Sequence, residues 1–293
     1  MDRERLRDIV LKLIDFGKTT HLVSELSRED VEYILDWGQR VVRREESVTE
    51  IAGPVTICGS LFGDFRNLLD LLEVGEHPPL NSYLFLGDFV NRGKNSLEVV
   101  CLLVSYKLLY PSCVVMLRGA QETNELTRRK GLKAEIKYRF DTHLYKRLME
   151  FFGFLPLASV VAGRIFACHG GLNRHVHTID SVRRIIRPLP TLERAAAGIV
   201  FSEPIEGTGF LGHADESCGY GSDKVLSFLK AAGLDLICRT GDCVPGGFRY
   251  HCNRNVINIF STMNFCGHGN PAALLKVARN GTWEVVLCKE EGS

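Results

Sequence analysis

The length and the charge balance of this chain limit the classes of protein to which it can belong. Its 293 residues are enough to bury a substantial core, in one large domain or two small ones. Because 36 Lys and Arg residues stand against 35 Asp and Glu, we expect no general binding to nucleic acid or to a membrane surface. Residues 1–5 are charged and lead into no apolar stretch, and no run of 18 apolar residues follows. We therefore expect neither a signal peptide nor a membrane span.

The cysteines indicate a chain that keeps its thiols reduced. None of the ten belongs to a C-x-x-C pair, and most lie in apolar runs such as residues 165–168 and 236–238. Free cysteine behaves as a small buried hydrophobic residue, and a chain of this size does not need disulfides to fold. This usage favours structural thiols over disulfides or a zinc site, and it predicts a cytoplasmic or nuclear protein.

The first 50 residues have the pattern of α-helices. Apolar positions recur at helical spacing early in the chain, at Leu6, Ile9, Val10, Leu13 and Ile14. They predict an amphipathic helix that either packs on the rest of the chain or docks elsewhere. Ser27 and Asp30 have the spacing of a capping box, and the apolar positions that follow them favour a second helix. We divide the chain into an N-terminal helical extension, residues 1–27, and a single domain, residues 28–293.

From residue 55 onwards the pattern changes to short apolar runs that end in glycine or lead into it. These predicted strands cover residues 55–59, 83–87, 114–119 and 164–168, with helical stretches at residues 67–73 and 96–110. Later strands, predicted to form a second sheet, cover residues 234–238, 256–260 and 284–287. This alternation predicts an α/β (α+β) fold, a two-sheet β-sandwich flanked by helices.

Glycines and polar residues follow several of these strands, at the edge where sheets of this kind bind ligands. The segments are Gly59-Ser60-Leu61-Phe62-Gly63, Gly87-Asp88-Phe89-Val90-Asn91-Arg92-Gly93, Leu117-Arg118-Gly119-Ala120-Gln121-Glu122 and Cys168-His169-Gly170-Gly171-Leu172. In the order of these segments, from about residue 30 to residue 290, the chain resembles the catalytic subunits of the phosphoprotein phosphatases, most closely the type-1 serine/threonine protein phosphatase. The resemblance implies a metallophosphatase-like sandwich. It also implies a centre in which two divalent metals, such as Mn, Fe or Zn, activate a bridging water.

Most of the metal ligands that the resemblance implies are replaced. Ser60 stands where the family has a carboxylate and Phe62 where it has an imidazole. Ala120 replaces a ligand Asn, and Gly241 replaces a ligand His. A phenyl ring cannot donate to a metal, and a neutral hydroxyl is a poor replacement for a charged oxygen.

The residues implied for proton transfer and phosphate binding also differ. Gln121 replaces the His that protonates the leaving group, and Asn91 replaces the acid that keeps this His charged. Neither amide can supply a proton near neutral pH. The second phosphate-binding Arg is expected at about residues 214–216, which are Ala, Asp and Glu, and Phe265 stands where the family has Tyr.

Three of the implied site residues remain: the ligand positions Asp88 and His169 and the phosphate-binding Arg92. Asp88 and Arg92 either form an ion pair that closes the loop after the strand or keep a residual anion site. His169 is either a satisfied structural histidine or a metal ligand. Phe62 either fills the former metal cavity, where a void would be destabilising, or lines a new apolar pocket.

Because only two of six implied ligand positions remain, we expect no bound metal and no other cofactor. Loss of the general acid alone lowers the rate by about 10²- to 10⁴-fold. The sequence therefore predicts a catalytically inactive phosphatase-like protein, a pseudophosphatase.

The first functional hypothesis is a scaffolding or regulatory subunit that binds other proteins. By resemblance to the type-1 phosphatase, a hydrophobic docking groove for short partner motifs is expected at Ile165, Leu236, Tyr250, Ile257, Trp283 and Val286. The alternative is that these side chains simply complete the core. We expect protein partners, and neither nucleic acid nor membrane.

Two other functions compete with this hypothesis. A weak residual metal-dependent phosphoesterase needs a nucleophile and a proton donor, which the motifs do not supply. A non-catalytic sensor of phosphate or phosphoproteins would use Arg92 without turnover.

Overall fold

Helices and strands alternate along most of the chain. The computed structural model describes residues 1–212 and 217–289, with the backbone alone at Lys130. The helices are α1 (Arg3–Gly17), α2 (Arg28–Val42), α3 (Phe65–Gly75), α4 (Ser96–Leu109), α5 (Asn124–Lys130), α6 (Leu132–Arg139), α7 (Thr142–Gly153), α8 (Ile179–Arg183), α9 (Arg194–Phe201) and α10 (Ser222–Ala232). The strands are β1 (Val48–Ile51), β2 (Val55–Cys58), β3 (Tyr83–Phe85), β4 (Val114–Met116), β5 (Ala158–Val161), β6 (Ile165–Cys168), β7 (Glu203–Pro204), β8 (Phe210–Leu211), β9 (Gly219–Tyr220), β10 (Leu236–Arg239), β11 (Phe248–His251), β12 (Val256–Ile259), β13 (Ala272–Val277) and β14 (Trp283–Cys288).

The N-terminal helices pack on the body of the molecule. In α1 the apolar positions Leu6, Ile9 and Leu13 are buried in the same core as the residues of α4. Of the two possibilities that the sequence left open for α1, the structure shows packing on the rest of the chain. Helix α4 is buried along its whole length, as expected for a helix that is apolar on every side.

Helix α2 begins where the sequence predicts a cap. The Ser27 hydroxyl accepts a hydrogen bond from the backbone N–H of Asp30 at 3.1 Å, which satisfies one of the free donors of the first turn. The Asp30 carboxylate accepts instead from Arg5 of α1, at 2.9 Å. The second half of the capping box is thus replaced by a contact between helices.

Two large sheets confirm the predicted α/β sandwich. The first has the order β14-β13-β2-β3-β4, and the second has the order β1-β5-β6-β10-β12-β11. Between them lies an apolar layer to which Ile57 and Leu84 contribute from one side and Leu236 and Ile257 from the other. A third, small sheet with the order β7-β9-β8 was not predicted.

The assignment of strands to sheets differs from the prediction in two places. Strand β14 was expected in the second sheet, but it pairs with β13, which in turn pairs with β2 of the first sheet. Strand β6 was grouped with the earlier strands, but it pairs with β10 of the second sheet. Periodicity shows that a segment is extended, whereas its partner is decided by contacts between distant residues.

The carboxyl ends of six strands meet at one edge of the sandwich. In the first sheet β2, β3 and β4 run parallel, and in the second β6, β10 and β12 do. An isolated bridge between Ser60 and Phe260 joins the end of β2 to the end of β12. The loops that follow these strands contain the residues singled out in the sequence, so this edge is the candidate site.

All ten cysteines are free, in agreement with the sequence. Six of them are buried, three are half-buried and Cys266 is exposed. Within residues 1–212 and 217–289, no helix is both long enough and apolar enough to cross a membrane.

Candidate functional site

The loops at this edge have a strained backbone, and a buried carboxylate joins the loop after β3 to the loop after β4. Phe62, Asp88, Asn91 and Arg92 all have positive φ angles, from 49° to 69°, which are unfavourable for residues with a side chain. The Glu122 carboxylate accepts hydrogen bonds from the backbone N–H groups of Asp88, Phe89 and Gly119, at 2.8 to 2.9 Å. Sequence reasoning gave Glu122 no role, although it closes the motif that follows β4.

Asp88 and His169 lie against one another, as the resemblance implies. His169 Nδ1 lies 2.8 Å from the Leu86 carbonyl oxygen, which can only accept, and Nε2 lies 3.3 Å from Asp88 Oδ1. Burial raises the pKa of Asp88 to about 7. Burial, together with the nearby Arg239 guanidinium, lowers the pKa of His169 to about 4. Both ring nitrogens of His169 therefore have protein partners.

The two amides that replace the proton-transfer pair still contact each other. Asn91 Nδ2 donates to Gln121 Oε1 at 3.0 Å, and Asn91 Oδ1 accepts from the backbone N–H of Leu132 at 3.0 Å. The Leu132 donor fixes the orientation of the Asn91 amide. The geometry of a hydrogen-bonded pair remains, but neither member can give or take a proton near neutral pH.

Ser60 is satisfied by a residue that the sequence did not indicate. Its hydroxyl lies 3.0 Å from Thr240 Oγ1, which also accepts from the Ser60 backbone N–H at 3.0 Å. Both side chains are buried. The two neutral hydroxyls thus satisfy each other, at the position where the resemblance implies a charged metal ligand. Ala120, at another implied ligand position, offers only a methyl group.

Phe62 packs within an aromatic cluster. Its ring lies 4.8 Å from the Phe265 ring and 6.0 Å from the Phe260 ring, and the residue is only 6% exposed. The Arg92 guanidinium stacks over Phe62 and Phe265, 5.5 and 5.4 Å from the ring centroids. Of the two possibilities left open for Phe62, the structure shows a ring that fills space. No direct ion pair joins Arg92 to Asp88 among the described residues, but the charge of Arg92 acts to lower the pKa of Asp88.

Gly241 leaves room for a buried guanidinium. A Cβ atom added at Gly241 would lie 2.4 Å from Nη1 of Arg239. Arg239 is 4% exposed and donates to the carbonyl oxygens of Gly170 and Ser202 and to Asn258 Oδ1, at 3.1 to 3.4 Å. The sequence showed the loss of a side chain at position 241, but it did not show that the positive charge of Arg239 lies next to it.

The residues present do not fit a two-metal centre. In the part of the chain that the structure describes, no three His, Cys, Asp or Glu side chains lie close enough together to hold a metal ion. Within these described residues, no third side chain of these types joins Asp88 and His169. The expected site of the second phosphate-binding Arg, at residues 214–216, lies outside the described residues.

The six residues of the expected docking groove do not form one surface. Ile165, Leu236 and Ile257 are fully buried between the sheets. Tyr250 and Trp283 are half-buried at the margin of this layer.

Val286 lies on the other face of β14, against the helical core. Side chains alternate along a strand, so Val285 shares the inter-sheet face with Trp283. Phe248 of β11 was missed by the sequence reasoning and lies at the same margin.

Comparison with known proteins agrees with this fold. The profile of the calcineurin-like phosphoesterases matches residues 53–245. A protein serine/threonine phosphatase from Saccharomyces cerevisiae, with similarity to human phosphatase PP5, is 25% identical and has a TM-score of 0.88. This alignment covers 100% of the present chain and 98% of the yeast chain.

A more distant structure shares the fold. The cold-active protein-tyrosine phosphatase of a psychrophilic Shewanella species has a TM-score of 0.57 at 14% identity, with 84% of each chain covered. The family profile matches well over half of the present chain, and the likeness to the yeast phosphatase extends over its whole length. The chain therefore belongs to the calcineurin-like phosphoesterase family, among its phosphoprotein phosphatases.

Proposed function

We propose that this protein is a catalytically inactive phosphatase that acts by binding other proteins. The observation that supports the proposal best is that the former metal positions contain packed, mutually satisfied side chains. Phe62 lies among aromatic rings, Ser60 lies against Thr240, and the Arg239 guanidinium lies beside Gly241. These residues interact with one another and present no set of metal ligands.

The replacements affect separate steps of the family reaction. Without ligands at positions 60, 62, 120 and 241, the chain lacks the donors that would hold two metals and generate a bound hydroxide. Without an acid at position 121, the leaving group is not protonated, which lowers the rate by about 10²- to 10⁴-fold. Each loss is serious by itself, so reversal of one substitution is not expected to restore turnover.

Metal content per chain is the first test of this proposal. After incubation with excess Mn²⁺ and removal of free ion, we expect less than about a tenth of a metal ion per chain by elemental analysis. Hydrolysis of a phosphoserine peptide should equal that of a buffer blank, with an active serine/threonine phosphatase assayed in parallel. About two bound metals per chain, together with hydrolysis that EDTA abolishes, would show that the protein is an enzyme.

Binding of a partner is supported by the margin between the two sheets. Strands β11 and β14 are at the edges of their sheets in the described structure, so each offers unpaired backbone groups to an extended peptide. Phe248, Tyr250 and Trp283 lie half-buried at this margin. The exposed Arg254 stacks on Tyr250, 4.1 Å from its ring centroid. We therefore expect an extended segment in which apolar anchor residues are flanked by acidic ones.

A peptide selection tests this part of the proposal. Peptides selected on the immobilised protein should share apolar anchors with acidic neighbours. Their binding should be lost in Tyr250→Glu and Trp283→Glu, because a charge would replace the half-buried ring. Leu226→Glu, at an exposed position on α10, is the matched control and should leave binding unchanged. Selected peptides that bind all three variants equally would place the docking surface elsewhere.

A further inference from the structure

A second concave site lies beside the turn that follows β4. It is a cavity of about 510 Å³ between the start of α5, residues 190–192 and the end of α9. None of the residues that line it belongs to the former metal centre. Its charged side chains are Arg118, Arg128, Arg129 and Glu125.

Arg118 is a buried charge whose hydrogen bonds are incomplete. The residue is 1% exposed and donates to the carbonyl oxygens of Leu189, at 2.5 Å, and Glu122, at 3.2 Å. Its Nε has no acceptor among the described residues, and no described carboxylate forms an ion pair with it. Burial lowers the pKa of Arg118 to about 10, which still leaves the guanidinium charged at neutral pH. The charge of the Glu122 carboxylate offsets this shift in part, although the two side chains form no direct ion pair. A buried charge that is only partly compensated is destabilising.

The rim of the cavity adds further positive charge. Arg129 is paired with Glu125 at 2.9 Å on the exposed face of α5. Arg128 is exposed and has no ion pair with a described residue. Three guanidinium groups thus face one carboxylate, which leaves an excess of two positive charges around the cavity.

We infer that this cavity binds a phosphate monoester. A phosphate dianion matches the excess of two charges, and guanidinium groups bind phosphate through paired N–H donors. The buried Arg118 guanidinium would add its positive charge beside the phosphate. The apolar side chains of Pro190, Leu192 and Phe201 also line the cavity and would contact the carbon chain that bears the phosphate. The inference does not depend on the loss of catalysis, because it uses none of the same residues.

Titration with phosphate ligands, followed by heteronuclear NMR, tests the inference. The probes are inorganic phosphate, a phosphoserine peptide and the same peptide without phosphate. We expect saturable shifts of the Thr123, Asn124 and Thr191 amides with both phosphate probes and none with the third. Tighter binding of the peptide would identify a phosphorylated protein as the source of the ligand, and equal affinities would identify a free phosphate ester or ion.

Three variants assign the binding to this cavity. Arg128→Ala removes an exposed side chain and should weaken binding about 10- to 100-fold, the effect of one hydrogen bond to a charged group. Arg279→Ala makes the same charge change at an exposed position between β13 and β14 and should leave binding unchanged. Arg92→Ala should also leave it unchanged. Loss of binding in Arg92→Ala but not in Arg128→Ala would overturn the inference, as would the absence of saturable shifts with either phosphate probe.

Discussion

At the candidate site, single side chains pack against one another at positions where the resemblance implies polar metal ligands. Phe62 is the clearest case, because its ring contacts Phe260 and Phe265 while its backbone keeps a positive φ of 49°. A bulky residue rarely adopts this conformation. Its contacts must therefore offset the strain, and the stability of the site should depend on them.

Replacement of Phe62 by Ala should destabilise the protein strongly. The change removes a buried ring, leaves a cavity between Phe260 and Phe265, and does not relieve the backbone strain. We expect a loss of about 3 kcal/mol in the free energy of unfolding, measured by chemical denaturation. Arg92→Ala is the control, since an exposed cation–π contact contributes only about 0.5–1 kcal/mol. Equal losses for the two variants would contradict the packing role of Phe62.

Gly241 should tolerate no side chain, because the Arg239 guanidinium lies where a Cβ atom would be. Gly241→Ala would displace a buried group that makes three hydrogen bonds. We expect a loss of about 1–3 kcal/mol in the free energy of unfolding. Gly246→Ala is the matched control, since its Cβ would meet only the Phe248 carbonyl oxygen, at 3.9 Å. A Gly241→Ala variant as stable as this control would show that Arg239 moves freely.

At the scale of whole elements, buried charges connect the helices. Glu98 of α4 is fully buried and pairs with Arg139 of α6 at 2.7 Å, and its carboxylate also accepts from the Ser24 hydroxyl at 2.5 Å. Glu135 of α6 accepts from the backbone N–H of Leu97, at the start of α4, at 3.0 Å. These contacts fix the position of α6 against α4, but they shield the carboxylates from most of the water, since the side chain of Glu98 is fully buried and that of Glu135 is only 15% exposed.

The stability of the protein should depend on the protonation of Glu135. Burial, reinforced by the nearby Glu98 carboxylate, raises the pKa of Glu135 from 4.5 to about 7. Between these values the folded chain holds a proton that the unfolded chain has released. The contribution of Glu135 to stability is therefore largest below pH 4.5 and falls as the pH rises to about 7.

Glu135→Gln should remove this pH dependence, because the amide does not titrate. Relative to the original protein, the variant should gain roughly 3 kcal/mol in unfolding free energy as the pH rises through this window. Urea denaturation at a series of pH values measures the difference. Glu135→Ala should show the same pH-dependent gain with a constant loss added, since Leu97 would lose its acceptor. A difference that does not vary with pH would contradict the shifted pKa.

At the scale of the molecule, two sheets enclose one apolar layer and the N-terminal helices pack against the first sheet's side. The cysteines are distributed through all of these layers, and most of them are buried. Burial raises the pKa of the Cys168 thiol to about 12. Because thiolates and not thiols react with disulfide reagents, thiol reactivity reports whether these layers are closed.

A thiol titration of the native protein should therefore proceed in stages. We expect the exposed Cys266 to react first with a disulfide reagent, and the half-buried Cys113, Cys243 and Cys252 to follow more slowly. The six buried thiols should react only after denaturation. A Cys266→Ser variant should lack the first stage. Rapid reaction of several thiols in the native protein would show that the layers open readily.

The amino-acid sequence by itself determined the strand–loop–helix alternation and the identity of the residues in each motif. The cap at Ser27 and the replacements at positions 60, 62 and 241 could be read from local pattern and from resemblance. Local backbone preferences and side-chain chemistry decide these properties, so a linear sequence is enough to reveal them. The phosphatase fold follows from the same motifs.

Only the tertiary structure decided which side chains share a surface. In the structure, β14 lies in the first sheet and Val286 lies on its helical side. Thr240 lies against Ser60, and the Arg239 guanidinium lies beside Gly241. Each of these contacts joins segments that are distant in the chain or depends on the rotamer of a long side chain. These contacts are stabilised by packing, by the removal of water and by paired hydrogen bonds, all of which depend on which residues lie close together in space. The periodicity of a local segment does not reveal such proximity.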